Sequence, residues 1–284
     1  EALEVLTRAE PVATALGQAK LLAELHILRG SIRFSLGHEA ACLADHETAC
    51  VEARRAGLPG LEARALSGLG DAYYQRGRMI TAQGHFDHCV RIARDHAETR
   101  IEVANLCMRG ITSFYLHDAT AAVADCQRAV EVAQRIGDRR SEMVGRNVLV
   151  TILPYLGRGE EALDHARRCQ ETAEALGSTL FAADAIWMGA AVAQLLGRGE
   201  NTEEHLQRAW AMIEKAGPQF SGAWLQGAIA FVTRDAGRRQ AAIASGQRLL
   251  AADALSHNHL HFHQLAMDAL LRAGDWPGAE AQAD

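Results

Sequence analysis

From Ala63 onward, apolar side chains return three or four positions apart, at Leu66, Leu69 and Tyr73, and again after a polar break at Ala82 and Phe86. This spacing keeps them on one side of a helix that turns about every 3.6 residues. A constant step, from 42 to 82 to 122, repeats the pattern slot by slot. One slot reads Cys42, Ala82, Ala122, Ala162, Thr202 and Ala242, a second Ala49, Cys89, Ala129, Cys169 and Ala209, and a third Ala53, Ala93, Ala133 and Ala173. Gly30, Gly70 and Gly110 share a further tight slot, taken later by Val150, Ala190 and Ala230. Slots that stay small are where two helices approach closely, while the large residues fill the space between one hairpin and the next.

Glycine punctuates the same period. Gly37, Gly77, Gly157, Gly197 and Gly237 stand one repeat apart or a multiple of it, with His117 in the missing slot and Gly274 arriving three residues early. A second series, half a repeat out of phase, runs through Gly17, Gly57, Gly137, Gly177 and Gly217, with Ala97 and His257 in the remaining slots. Glycine beyond a helix end supplies the left-handed residue that stops it. The spacing predicts a first helix of each hairpin over 22–36, 61–76, 99–116, 139–156, 179–196, 221–236 and 258–273. The second helix of each pair follows over 39–56, 79–96, 119–136, 159–176, 199–216 and 239–254, with partial helices at both ends. Pro59, Pro218 and Pro277 stand where a helix begins. Pro154 is expected to bend or shorten its helix, and Pro11 leaves the first boundary open.

Leu66-x2-Leu69-Gly70-x2-Tyr73 followed by Ala82-x3-Phe86 resembles the tetratricopeptide pattern. The unit is about six residues longer than the 34-residue repeat of that family, and Arg94 stands where its proline belongs. The expectation is an all-α, right-handed superhelical solenoid, a single array over 1–284 of about six and a half hairpins. Because it opens on Glu1 and stops within an apparent helix, the chain reads as a fragment of a longer protein.

The phrases GDAYYQRGRMITAQGHFDHCVRIAR (70–94), RIEVANLCMRGITSFYLHD (100–118) and ALSHNHLHFHQLAMDALLRAGDW (254–276) narrow the resemblance. They are similar to the C-terminal repeats of bacterial class III adenylate/guanylate cyclases that also carry an AAA-type ATPase domain. Repeats of MalT-like transcriptional regulators are the alternative. The resemblance implies a sensor or docking region and carries no active-site residue onto this chain. A phosphate-binding loop needs Gly-Lys-Ser/Thr, yet the only lysines, Lys20 and Lys215, follow Ala19 and Glu214. No catalytic residue, cofactor or metal is therefore expected.

Composition sharpens this reading. Aromatics are only 5% of the chain while hydrophobic residues are 49%, which suits closely packed helices. The net charge of −6, with basic residues scattered among acidic ones, argues against a nucleic-acid or anionic membrane surface. Cys42, Cys50, Cys89, Cys107, Cys126 and Cys169 lack zinc or redox spacing and alternate with alanine in small slots, so they read as reduced, buried thiols of a cytoplasmic protein.

In a stack of this kind the first helices would line a concave wall, where a protein or peptide segment, or a small signal molecule, would bind. On the second hairpin that face is Arg64, Ser67, Asp71 and Tyr74. A step of 40 brings Phe114 and Pro154, with Tyr115 and Tyr155 next to them, and the face continues through Asn147, Trp187, Trp224, Phe231 and Arg234. Eleven of the 15 aromatic residues fall on first helices, as a groove with stacking surfaces requires. The run from Ser256 to His263 splits its histidines into two i, i+4 pairs, His257 with His261 and His259 with His263, too few ligands on either face for zinc. The repeated Leu-Gly-Arg-Gly-Glu at 156–160 and 196–200 reads as an inter-helix turn. Recognition by a non-catalytic regulatory module is the resulting expectation, with structural self-association next and a histidine-based metalloenzyme a distant third.

Overall fold

The computed structural model describes residues 1–252 and 254–283. Asp253, within the expected helix 239–254, and Asp284, at the end of the expected array, lie outside the described residues. Among the described residues there are fifteen α-helices and no strand. Contacts divide the chain into two compact units, Glu1–Ser141 and Glu142–Asp284. No helix among the described residues is long and apolar enough to cross a membrane.

The first unit holds α1 (Ala2–Ala15), α2 (Ala19–Ser35), α3 (Glu39–Arg55), α4 (Pro59–Gln75), α5 (Met79–Asp95), α6 (Thr99–Tyr115) and α7 (Ala119–Ile136). Each helix packs on the next, giving hairpins α2–α3, α4–α5 and α6–α7 that stack in chain order. The stops work as expected: Gly77 has φ 72°, its N–H reaches the Tyr74 carbonyl, and the next N–H, from Arg78, reaches back to Tyr73. Ala97 and His117, which occupy glycine slots, adopt the same left-handed backbone at φ 57° and 69°. Pro11 lies inside α1, which continues through it.

The small slots are buried throughout both units. Ala49, Cys89, Ala129, Cys169 and Ala209 are fully buried, as are Ala53, Ala93, Ala133 and Ala173. Burial pushes the Cys42 thiol up to about 11 and those of Cys89, Cys107 and Cys169 to about 12, so they pack as inert hydrophobes. The tight glycine slot faces a partner slot on the second helix of its own hairpin. A Cβ at Gly30 would lie 2.7 Å from the His46 ring, one at Gly70 would overlap Phe86, and one at Gly110 would lie 2.6 Å from the Cys126 sulfur. Where the slot widens to Val150, its partner shrinks to Ala166. Summed volume, rather than identity, is what the repeat keeps.

Helix α8 (Arg139–Ile152) runs across the boundary between the units, and a 3₁₀ turn, η1 (Leu153–Leu156), continues it. Pro154 thus shortens the helix as expected, because its missing N–H and ring cannot sustain the α-helical bond pattern. The second unit continues with α9 (Gly159–Ala175), α10 (Thr179–Leu195), α11 (Thr202–Ala216), α12 (Gly222–Val232), α13 (Ala236–Ala251), α14 (Ser256–Arg272) and α15 (Trp276–Ala283). Both Leu-Gly-Arg-Gly-Glu phrases are turns, with Gly157 and Gly197 left-handed.

Here the rhythm drifts. The expected helices 221–236 and 239–254 are observed as Gly222–Val232 and Ala236–Ala251. Asp235 caps α13, accepting the Arg238 N–H at 2.7 Å, while the preceding Thr233 is extended. The turn is therefore three residues early, leaving Gly237 inside α13 and His257 inside α14 instead of acting as stops. Pro218 lies in the turn before α12 rather than at its first residue. Helix α12 then packs on α14 more extensively than α13 does, with Gly227 against the Phe262 backbone and Gly246 making room for the Phe262 ring.

Candidate functional site

Within the second unit, α8, η1, α10, α12 and α14 surround a mainly apolar cavity of about 310 Å³, with Asp268 the one carboxylate among the described residues of its lining. Trp187, Trp224, Phe231 and Tyr155, four of the expected site residues, all line it. Trp187 forms its inner wall and is 2% exposed, its ring edge-on to Trp224 with centroids 5.1 Å apart. The Trp187 indole N–H donates to Asp184 Oδ1 at 3.0 Å, and the Ser221 hydroxyl donates to the same oxygen at 2.6 Å. Burial pushes the Asp184 carboxyl up to about 6. The mouth is open and greasy, with Tyr155 57% and Leu195 72% exposed.

His261 closes the cavity behind Trp224, the two rings stacked. His257 Nε2 donates to the Phe220 carbonyl at 3.0 Å, and the ring packs against Trp224. Both imidazoles are buried, which lowers His261 to about 3 and His257 to about 4 and keeps them neutral. His259 and His263 stack loosely on the other face of α14. Among the described residues no group of three metal-ligating side chains occurs.

A second cavity of about 610 Å³ adjoins the first, sharing Gln194, Leu195, Phe231 and Val232 with it. Arg234, another expected site residue, lines it together with Arg239 and Arg272, and no carboxylate among the described residues does. Among the described residues none of the three has an ion-pair partner; Arg272 instead lies over the Phe231 ring, 3.9 Å from its centroid. An apolar chamber beside an unneutralised cluster of guanidinium groups is the main chemical asymmetry of this unit.

The remaining expected residues separate. In the first unit, Arg64 and Asp71, with Ser67, line a polar cavity of about 310 Å³ alongside Arg100, Asn105 and His46. Burial pushes the Asp71 carboxyl up to about 7, with Arg140 acting weakly in the opposite direction. Tyr74, Phe114 and Tyr115 form an aromatic cluster, Tyr115 lying 6.4 Å from Tyr74 and 5.5 Å from Phe114. Asn147, on α8, is half-buried, and its Nδ2 has no hydrogen-bond partner among the described residues.

Residue spacing singled out His261 only as half of a histidine pair, and it missed Arg239 and Arg272, because α13 begins three residues early. It also missed a buried ionic motif. Arg29 holds both oxygens of Asp45 at 2.7–3.1 Å, and Arg109 holds Asp125 at 2.6 Å through both Nε and a terminal nitrogen. The recurrence of Arg and Asp in the same two slots, two repeats apart, was the available signal.

No protein-family profile matches the chain, and no curated protein is similar to it in sequence. Solved structures are similar in fold. The apo form of RapI superposes with a TM-score of 0.73 at 11% identity, covering 92% of this chain and 94% of that one. A Rap protein complexed with competence and sporulation factor gives 0.73 at 12% identity over 93% and 73% of the two chains. The apo quorum sensor NprR from B. thuringiensis gives 0.68 at 12% identity over 99% and 79%. The class these define is the tetratricopeptide-like helical repeat fold. At such identities the likeness concerns the fold alone, and the finer resemblance to cyclase-associated repeats has no counterpart among these structures.

Proposed function

We propose that this chain is a non-catalytic, protein-binding repeat module whose second unit captures a peptide segment presenting a bulky apolar side chain beside an acidic group. The observation that carries this reading is the pairing of the Trp187–Trp224–Phe231 chamber with the carboxylate-free cluster of Arg234, Arg239 and Arg272. A leucine- or phenylalanine-sized side chain filling the chamber would displace water from an aromatic lining, and the guanidinium groups would donate charge-assisted hydrogen bonds to a carboxylate. Support comes also from a Rap protein solved with competence and sporulation factor and from the Rap conjugation regulator of plasmid pLS20 solved with the Phr* peptide, both of this fold. The cytoplasmic setting rests on the reading of the six cysteines as reduced thiols, and a parent protein with ATPase and cyclase domains to which occupancy is transmitted rests on the sequence phrases quoted above.

Panning a phage-displayed random peptide library on the whole chain tests the reading. Enriched peptides should pair an apolar residue with Asp, Glu or a free C-terminus, and should lose binding about tenfold or more to Leu195→Asp or to Arg234→Glu combined with Arg239→Glu. These positions are exposed or half-buried, so the variants remain folded. No enrichment, or enriched peptides indifferent to both variants, would eliminate this site.

A further inference from the structure

The polar cavity of the first unit is separate from the peptide chamber, and its lining is unusual for a repeat scaffold. Two side chains that are at least nine-tenths buried leave an atom unsatisfied there among the described residues: His46 Nδ1, on a residue 2% exposed, and Asn105 Oδ1, on a residue 3% exposed. Buried polar atoms without partners are rare because each one forfeits its bonds to water. Two in one cavity require a reason. The His46 ring is held there by the absence of side chains at Gly30 and Gly68, where a Cβ would collide with it. The Asn105 amide is fixed by its other end, Nδ2 donating to the Ile101 carbonyl at 2.9 Å, which aims Oδ1 as an acceptor.

The same cavity carries both signs of charge without internal pairing. Arg64 and Arg100 line it, and Asp71 stands on the same helix as Arg64, two turns further on; among the described residues none of the three has a hydrogen-bond or ion-pair partner. A simple carboxylate would satisfy the arginines and leave Asp71 and Asn105 Oδ1 without a donor. A metal ion would be repelled by the two guanidinium groups, and a phosphate by Asp71. A molecule with an anionic and a cationic end offers Arg64, Arg100, Asp71 and Asn105 Oδ1 each a complementary group. Ile27, Ile101 and Ala104 leave an apolar corner for a short side chain, and about 310 Å³ lies at the lower end of the roughly 300–1,000 Å³ of ligand pockets.

We propose that this cavity binds a small zwitterion of the free amino-acid kind, its carboxylate taken by Arg64 and Arg100 and its ammonium by Asp71 and Asn105 Oδ1. Burial already holds the Asp71 carboxyl near neutrality, and an ammonium beside it would return it to the charged state. Such a site gives the module a second, metabolic input independent of the peptide.

Calorimetric titration of the whole chain with each of the twenty protein amino acids tests this. At least one should bind with one-to-one stoichiometry. Its α-keto acid, lacking the ammonium, and its methyl ester, lacking the carboxylate, should each bind about tenfold or more weakly, as should the amino acid itself to Asp71→Asn or Arg100→Gln. Arg100 is exposed, so that variant keeps its fold, and the two analogues probe the unaltered chain. Leu195→Asp should leave this binding unchanged, which separates the two sites. Absence of heat with every amino acid, equal affinity for the keto acid, or indifference to both cavity variants would overturn the proposal.

Discussion

Trp224 and His261 lie face to face, their ring centroids 3.8 Å apart and their planes within 8° of parallel. This stack joins α12 to α14, and it requires the imidazole to stay neutral in a site that solvent barely reaches. A folded-state pKa of about 3 for His261 and about 4 for His257 stands below the unfolded value near 6.5. Their contribution to stability is therefore complete above pH 6.5 and is lost as the pH falls toward 4. Each histidine should weaken the fold by about 1.4 kcal/mol per pH unit across that window. Tryptophan fluorescence during acid titration reports it, and His261→Phe, which keeps an aromatic stack, should flatten the slope.

Asp184 behaves with the opposite sign. Its carboxyl is raised to about 6 by burial, above an unfolded value near 3.8, although Ser221 and Trp187 both donate to it. Protonation favours the folded state, so this group's contribution is greatest below pH 4 and declines as the pH rises through 6. Asp184→Asn keeps the accepting oxygen and removes the buried charge. It should stabilise the chain at pH 7 by about 1–3 kcal/mol and by almost nothing at pH 4, as judged from urea unfolding at the two pH values.

The hairpins were legible in the sequence because close packing leaves so little freedom. A slot with little room beyond a methyl or thiol group holds Ala or Cys on most repeats, Thr202 being the exception in the slot of Ala82, so Ala82, Cys89 and Ala93 stand out by their recurrence. The site was legible only in part. Trp187, Trp224 and Phe231 follow from their place on first helices, but Asp235 moves the next helix start by three residues, and no periodic argument carries Arg239 and Arg272 across that shift. Periodicity also treats a face as uniformly open. Trp187 is in fact part of the core, so truncating it to alanine would cost about 3–5 kcal/mol of stability rather than report on binding alone.

The Arg29–Asp45 pair offers a test of what a buried ionic slot contributes. Burial alone would raise the Asp45 carboxyl, yet hydrogen bonds shared with His26 and Arg29 outweigh it and hold the pKa below its ordinary value. Asp45 is 2% exposed and also receives Arg33 at 2.6 Å. Asp45→Ala leaves Arg29 charged and buried with Glu10 as its remaining ion-pair partner and should cost about 3–5 kcal/mol. The repeat supplies its own replacement: at the corresponding slots the second hairpin carries Leu69 and His85. Arg29→Leu combined with Asp45→His should therefore recover most of that loss in a thermal melt.

The stops between helices can be tested by exchanging two residues that share a backbone shape. Gly77 and Ala97 both lie in the left-handed region, at φ 72° and 57°. An L-residue in this conformation is strained by roughly 1–2 kcal/mol, while glycine adds unfolded-state freedom worth about 0.4–1 kcal/mol. Gly77→Ala should accordingly destabilise the chain by about 1 kcal/mol, and Ala97→Gly should stabilise it by up to the same amount. Hydrogen exchange at Arg78 and Glu98, whose N–H groups bond back to Tyr73 and Ala93, localises each effect to its own turn. Equal and opposite shifts confined to those amides are expected, and a loss spread over neighbouring hairpins would show instead that the left-handed residue governs stacking between them.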